Sequence, residues 1–374
     1  MIYFDSAATT FQKPPAVEAA MVGALRTMSS PGRGGYPAAM AAADAAFDCR
    51  SELAELYGLN NPEQVVFTMN ATHALNLAIK TLVPPGGRVV ISGYEHNAVT
   101  RPLAALGATV MVADAPLFRP EAVVESFARL VDNNVDAVIC SHVSNVFGFI
   151  QPVEAVAGLC RERGVPLIVD DAQAAGVLPL NMADLGAAFV AMPGHKGLYG
   201  PQGTGVLLCG EGIRPCTLLE GGTGSLSIRQ EMPDFLPDRL EAGTHNMPGI
   251  AGLLAGVRYV RKRGLEAICR RERQLTQMAA AELQTLPGIT VYAQPDLHAQ
   301  TGVLSFTAKG WEVEALGRAL AESGIAVRAG LHCAPLAHRS AGTLEGGTVR
   351  LSFSDFNTPE EVSRFRSVMG KNLA

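Results

Sequence analysis

From about Gln64 to Leu208, short β-branched runs alternate with segments of helical period, and this alternation limits the possible folds more than any other feature of the chain. It implies βαβ units and a mostly parallel sheet with helices on its faces. Strands are expected at Gln64 to Thr68, Arg88 to Ser92, Thr109 to Ala113, Ala137 to His142, Leu167 to Asp170, Phe189 to Met192 and Thr204 to Leu208. Between them, Ala71 to Leu82 carries Ala74, Leu75, Ala78 and Leu82 on one helical face, and Val153 to Arg163 has a similar stripe. Open sheets of this kind bind ligands at the carboxyl ends of their strands. Thr68, Ser92, His142, Asp170 and Met192 stand at those ends, so the chemistry is expected along that rim.

After Gly243 the pattern changes to long helices, Ile250 to Arg263 and Leu265 to Thr285. Strands follow at Ile289 to Tyr292, Gly302 to Phe306, Ile325 to Arg328 and Thr348 to Phe353. The last helix has a readable start, with Thr358 as N-cap, Pro359 at the first helical position and Glu361 completing a capping box. At 374 residues the chain exceeds one ordinary domain of roughly 100–200 residues. A large domain over 13–245 and a small one over 246–374 are expected, with residues 1–12 assigned to the small one.

Hydrophobic residues at 48% and charged residues at 17% are a globular balance. No apolar run approaches the ~20 residues that span a bilayer. Met1-Ile2-Tyr3-Phe4-Asp5 lacks the blocks of a signal peptide. A cytoplasmic protein without a membrane partner is therefore expected. A net charge of -5 without a basic block argues against nucleic acid. The seven cysteines are scattered, with no Cys-x-x-Cys pair, and read as reduced thiols rather than metal ligands.

Lys196 is one of six lysines and ends an apolar run inside a turn containing Gly194, Gly197 and Gly200. Desolvation there would lower its pKa and make it a nucleophile, the alternative being a solvated surface lysine. Asp170 ends the apolar run Leu167-Ile168-Val169, where a carboxylate is costly unless paired. It would face a protonated pyridine nitrogen or cap a helix. Together the two suggest pyridoxal phosphate, which needs an amine, an anion opposite the ring nitrogen, a flat group over the ring and a phosphate cradle. Asn70-Ala71-Thr72-His73 offers amides at a helix N-terminus and a hydroxyl for the phosphate, or an ordinary N-cap. His96 would stack on the ring or serve as a structural hydrogen-bonder. Gln173 would donate to the phenolic oxygen or lie on the surface.

Cys333 stands in Val327-Arg328-Ala329-Gly330-Leu331-His332-Cys333-Ala334-Pro335, and no strong periodicity appears from Ala329 to Gly347. Irregular connections beyond about 12–15 residues are usually functional or disordered. Cationic neighbours at Arg328 and His332 would favour an exposed thiolate nucleophile over a buried structural cysteine. Arg350 alternates to the face opposite Val349 and Leu351, where it would grip a carboxylate bidentately or face solvent.

Taken in order, these motifs closely resemble the pyridoxal-phosphate cysteine desulfurases and selenocysteine lyases of the class V aminotransferase group. The resemblance runs nearly end to end, through Tyr3-Phe4-Asp5-Ser6-Ala7-Ala8-Thr9-Thr10, Asn70-Ala71-Thr72-His73, Glu95-His96-Asn97 and Ser144-Asn145-Val146-Phe147-Gly148. It continues through Asp170-Asp171-Ala172-Gln173, Gly194-His195-Lys196, Glu241-Ala242-Gly243-Thr244 and Arg328-Ala329-Gly330-Leu331-His332-Cys333. The resemblance implies an α/β, fold-type I enzyme, its mostly parallel central sheet sandwiched by helices, with a smaller C-terminal α+β domain.

By position, it implies Lys196 as Schiff-base lysine, Asp170 on the ring nitrogen, Gln173 on the phenolic oxygen and His96 over the ring. Ala71, Thr72 and His195 would hold the phosphate. Thr244 would reach the phosphate of a neighbouring subunit, implying a homodimer with shared active sites. Asn145, Arg328 and Arg350 would address the amino acid, and Cys333 would accept sulfur. The implied reaction converts L-cysteine to L-alanine and leaves a persulfide for an acceptor protein. The nearest rival is a selenocysteine lyase acting on L-selenocysteine; an aminotransferase, a β-eliminating lyase and a non-catalytic cofactor-binding protein stand further off. Pro193 replaces the hydroxyl residue of many relatives, and Gly197 extends the turn after the lysine.

Overall fold

The computed structural model describes residues 1–372 apart from 33, 295 and 297. Strand β1 (Ile2–Tyr3) is followed by helices α1 (Pro15–Thr27) and α2 (Pro37–Leu56). Each helix opens on a proline, whose missing N–H is not needed at the first helical position. Then come β2 (Val65–Thr68), α3 (Ala71–Leu82), β3 (Arg88–Ser92), α4 (Asn97–Ala105), β4 (Thr109–Ala113), α5 (Pro120–Leu130) and β5 (Ala137–Ser141). After these lie α6 (Val153–Arg163), β6 (Leu167–Asp170), α7 (Met182–Leu185), β7 (Phe189–Pro193) and β8 (Gly205–Cys209).

Among the described residues, these strands form one seven-stranded sheet in the order β2-β8-β7-β6-β5-β3-β4. Only β8 runs antiparallel to its neighbours. Both faces are covered, which is why the strands read as continuous apolar runs. Val90, Val138, Val169 and Val190 enter one core with residues of α2, α5, α6 and the helix that follows β8. Val89, Ile91, Ile139, Ile168 and Phe189 enter the other with α3 and α4.

The chain continues through α8 (Met247–Arg263), α9 (Leu265–Gln284), β9 (Ile289–Tyr292), β10 (Val303–Ala308), α10 (Val313–Glu322) and β11 (Ile325–Ala326). It ends with β12 (Arg328–Gly330), α11 (Pro335–Ser340), β13 (Thr348–Ser352) and α12 (Pro359–Asn372). Strands β12, β13, β10 and β9 form an antiparallel sheet in that order, packed against α9, α10 and α12. Ile2 and Phe4 join this core, and β1 pairs in parallel with β11. Helix α8 lies on α1 and α2 and sends Met247, Leu253 and Val257 into the core of the seven-stranded sheet. Arg258 of α8 bonds Asp48 and Glu52 of α2.

Two expectations are corrected. Ile325 to Arg328 is not one strand: Ile325 and Ala326 pair with β1, whereas Arg328 pairs with Arg350 of β13 in another sheet. The stretch from Ala329 to Gly347 is not wholly irregular, because Pro335 starts the short helix α11. The capping box forms as expected: the Thr358 amide donates to Glu361 Oε2 at 3.0 Å, and the Glu361 amide donates to Thr358 Oγ1 at 3.3 Å. Among the described residues, no helix is long and apolar enough to cross a membrane.

Candidate active site

Lys196 follows β7 directly, in a turn that three backbone bonds close. The Gly194 amide donates to Thr204 O at 2.9 Å, the Gly200 amide to Gly194 O at 2.7 Å and the Tyr199 amide to Lys196 O at 2.9 Å. The glycines are there for close approach: a methyl group on Gly194 would meet the Thr204 hydroxyl, and one on Gly197 would meet the Ala175 carbonyl. From the other side, the Thr10 amide donates to His195 O at 3.1 Å, so the N-terminal segment braces the lysine turn.

The strand ends bring Ala71, Thr72, His96, Asn145, Asp170, Gln173, His195, Lys196, Arg328 and Arg350 to one cleft. Asn70 Oδ1 accepts from the His73 amide at 2.9 Å and caps α3, which leaves the Ala71 and Thr72 amides without intrahelical acceptors. His96 caps α4 through Nδ1, which accepts from the Ala98 amide at 3.0 Å. Its structural and cleft positions are therefore compatible. Gln173 Nε2 donates to Ala7 O at 3.0 Å, tying the N-terminal segment to the cleft floor.

Arg350 is buried rather than facing solvent. Its Nη2 donates to Asp5 Oδ1 at 2.7 Å and its Nη1 to Asn145 O at 2.8 Å. Arg350 Nε, Asn145 Oδ1 and His195 Nδ1 are buried without hydrogen-bond partners among the described residues.

Burial sets the electrostatics. It lowers Lys196 to about 8, against the attraction of Asp170, and raises Asp170 to about 6, against the Ala172 amide and Lys196. A buried lysine of this kind holds a proton loosely. His96 and His195 are both lowered to about 4 by burial, with Lys196 adding to the effect, and are neutral at pH 7.

Sequence reasoning missed several supporting groups. Asp5, the partner of Arg350, lies 345 positions away in the chain. Glu95 accepts from Ser92 Oγ at 2.6 Å and from the Ser141 amide and hydroxyl at 2.7 Å each, pinning the turn before His96 to β5. Asp171 accepts from Tyr57 Oη at 2.9 Å and meets His142 Nδ1 at 2.7 Å. Glu95 and Asp171 stood in the motifs of His96 and Asp170, but the sequence assigned them no role of their own.

Cys333 is exposed, with Sγ 3.7 Å from Arg328 Nη2. Its carbonyl accepts from the Asn97 amide at 2.8 Å, beside His96. The cationic role expected of His332 is corrected: burial and the nearby Arg350 lower it to about 2, so Arg328 alone of the two is charged. Thr244 does not line its own chain's cleft; it lines a separate hollow with Thr68, His73, Gly203 and His245.

The aminotransferase class-V family model matches residues 2–365. The chain belongs to the class-V aminotransferase family. Among family members, a probable cysteine desulfurase of Mycolicibacterium paratuberculosis is 33% identical over 98% of this chain, which spans only 54% of that relative. A probable cysteine desulfurase of Methanothermobacter thermautotrophicus is 32% identical, over 96% of this chain and 92% of the relative. The apo structure of a cysteine desulfurase from Thermococcus onnurineus superposes with a TM-score of 0.90 at 31% identity, covering 100% of this chain and 94% of that one. The fold is that of the pyridoxal-phosphate-dependent, fold-type I members of the family.

Proposed function

We propose that this class-V aminotransferase family member is a pyridoxal-phosphate-dependent cysteine desulfurase that converts L-cysteine to L-alanine and carries the sulfur on Cys333. The observation that carries the reading is an exposed cysteine whose thiol lies 3.7 Å from Arg328 Nη2 and whose carbonyl accepts from the Asn97 amide next to His96, with Arg328 and His96 lining a cleft that contains Lys196 and Asp170. Family relatives named cysteine desulfurase support it.

The donor set fits the cofactor. Ala71 and Thr72 offer amides at a helix N-terminus, where a dianion is favoured. The Nδ1 of His195 has no partner, and carrying a proton it would donate to a phosphate oxygen. Asp170 would face the ring nitrogen, Gln173 retains one amide hydrogen for the phenolic oxygen, and the neutral His96 would lie over the ring. When bound there, the cofactor supplies a carbonyl for the lysine or substrate amine and an electron sink for the bond that breaks.

The chain's own groups do the rest. Lys196, with its lowered pKa, takes the proton from the substrate Cα and returns one later. Asp170 keeps a proton at the ring nitrogen. Arg350 and Arg328 hold the substrate carboxylate, and the free Oδ1 of Asn145 accepts from an N–H of the substrate amino group. Cys333 Sγ attacks the substrate sulfur, a new S–S bond forms as the Cβ–S bond breaks, and the carbon skeleton gains protons to leave as alanine. The balance is L-cysteine plus the enzyme thiol giving L-alanine plus the enzyme persulfide. An acceptor protein then removes the outer sulfur. Thr244, outside its own cleft, is assigned to the neighbouring subunit's phosphate in a homodimer.

Alanine release from L-cysteine tests the reading in the intact protein and in Cys333→Ala. The variant should retain the cofactor's absorbance yet lose turnover by at least ~10²-fold, the scale of losing a nucleophile placed for reaction. Equal release from both would refute the role of Cys333.

A further inference from the structure

His332 and Cys333 both adopt left-handed backbone angles, with φ of +50° and +57°. For side chains other than glycine this conformation costs roughly 1–2 kcal/mol per residue. Two such residues in a row need contacts that hold them there. Three are backbone anchors: Asn145 Nδ2 donates to His332 O at 2.8 Å, the Asn97 amide to Cys333 O at 2.8 Å, and the Ala334 amide to Leu331 O at 2.9 Å.

The fourth anchor is the His332 ring. Its Nε2 lies 3.1 Å from Thr348 O and 3.2 Å from Thr348 Oγ1. Thr348 Oγ1 donates to Ser305 Oγ, which in turn donates to Val146 O at 2.7 Å, so the ring ends on a buried chain of bonds across β13 and β10. Behind it, the His338 ring stacks at 5.6 Å and 24°. His338 is fixed by Thr343 Oγ1, 2.7 Å from its Nδ1, and by the edge of Phe147. His332 lines the cleft, and its Nδ1 has no partner among the described residues. A neutral ring donating from Nε2 suits an acceptor such as Thr348 O and leaves Nδ1 as a lone pair.

We propose that His332 is the positioning residue for Cys333, its ring clamping the left-handed pair to β13 so that Sγ is held at the mouth of the cleft beside Arg328. The proposal rests on the reading of Cys333 as sulfur acceptor. It gives His332 no proton-transfer duty. Its effect is geometric, and misplacing a reacting atom by about 1 Å is enough to lower a rate by ~10²-fold.

His332→Gly and His332→Gln separate this role from relief of strain. Glycine accepts the left-handed conformation but has no ring; glutamine keeps an N–H near the place of Nε2 but tolerates the conformation poorly. Two readouts are needed on the cofactor-loaded protein, with thermal unfolding as a check on folding. They are the single-turnover rate of persulfide formation from L-cysteine with its KM, and the rate of Cys333 alkylation by iodoacetamide without substrate.

In His332→Gly the persulfide rate should fall by ~10²-fold with KM within about twofold, and alkylation should shift by about threefold or more. His332→Gln should stay within about threefold of the parent in both. A glycine variant that matches the parent in both readouts, or that outperforms the glutamine variant, overturns the proposal. Absence of any persulfide on Cys333 in the parent protein would instead overturn the functional reading, and the alkylation rates would still decide whether His332 positions the thiol.

Discussion

Replacing Asp170 by Asn removes a buried charge while keeping an oxygen that can accept from the Ala172 amide, now 2.9 Å from Oδ1. Burial raises the Asp170 carboxyl from its ordinary 3.8 to about 6. At ~1.4 kcal/mol per pH unit, the ionised form is disfavoured in the fold by at most ~3 kcal/mol. Because the folded pKa lies above the unfolded one, this penalty is complete above pH 6 and vanishes as the pH falls to about 4. That shift already includes the attraction of Lys196, so the net gain on removing the charge is ~1–3 kcal/mol.

The cofactor-free Asp170→Asn protein should therefore unfold at a higher denaturant concentration than the parent at pH 7.5, and the gap should narrow as the pH is lowered from 6 to 4.5. With the cofactor present the order should reverse, because the carboxylate then has a protonated partner. Chemical denaturation of both proteins at several pH values, with and without pyridoxal phosphate, reads this out. A cofactor-free variant no more stable than the parent at pH 7.5 would refute the claim that burying the Asp170 charge destabilises the cofactor-free fold.

Gly197→Ala should drive a methyl group into the Ala175 carbonyl and displace the lysine turn, with kcat falling by ~10²-fold for a shift of about 1 Å; steady-state alanine release measures this. Thr358→Ala should remove the bond from the Glu361 amide and destabilise the protein by about 1 kcal/mol in denaturant titrations, with kcat unchanged.

What could be read from the sequence follows how local its cause is. Helices α3 and α6 match their expected limits because each combines a clear apolar stripe with a terminus signal: Asn70 caps the first, and Gly164, in the left-handed region, ends the second. The α12 capping box is likewise set by neighbours three residues apart. Helices α1 and α2 went unread, since alanine on nearly every face of Pro37–Leu56 removes the contrast between faces on which periodicity depends. The division of 325–330 between two sheets was hidden because the partners that decide it, Ile2 and Arg350, are distant in the chain.

The site shows the same boundary. The placement of Lys196, Asp170 and His96 in one cleft was legible because Asp170 ends an apolar strand and Lys196 and His96 each follow one within four residues. The Asp5–Arg350 pair and the neutrality of His332 were not, since the first needs long-range contact and the second depends on burial. Nothing local distinguishes a charged histidine beside a cysteine from a neutral one clamped beneath it.

The most direct test of the proposed reaction is to mix the cofactor-loaded protein with one equivalent of L-cysteine per site, with no other thiol present, and follow two products together. The sulfur state of the Cys333 peptide is read by mass spectrometry, and free alanine is quantified. One added sulfur on Cys333 and alanine in equal amount are expected, the added sulfur being lost when a further thiol or an acceptor is supplied. Alanine formed in equal amount to the L-cysteine supplied, with Cys333 unmodified, would contradict that reaction.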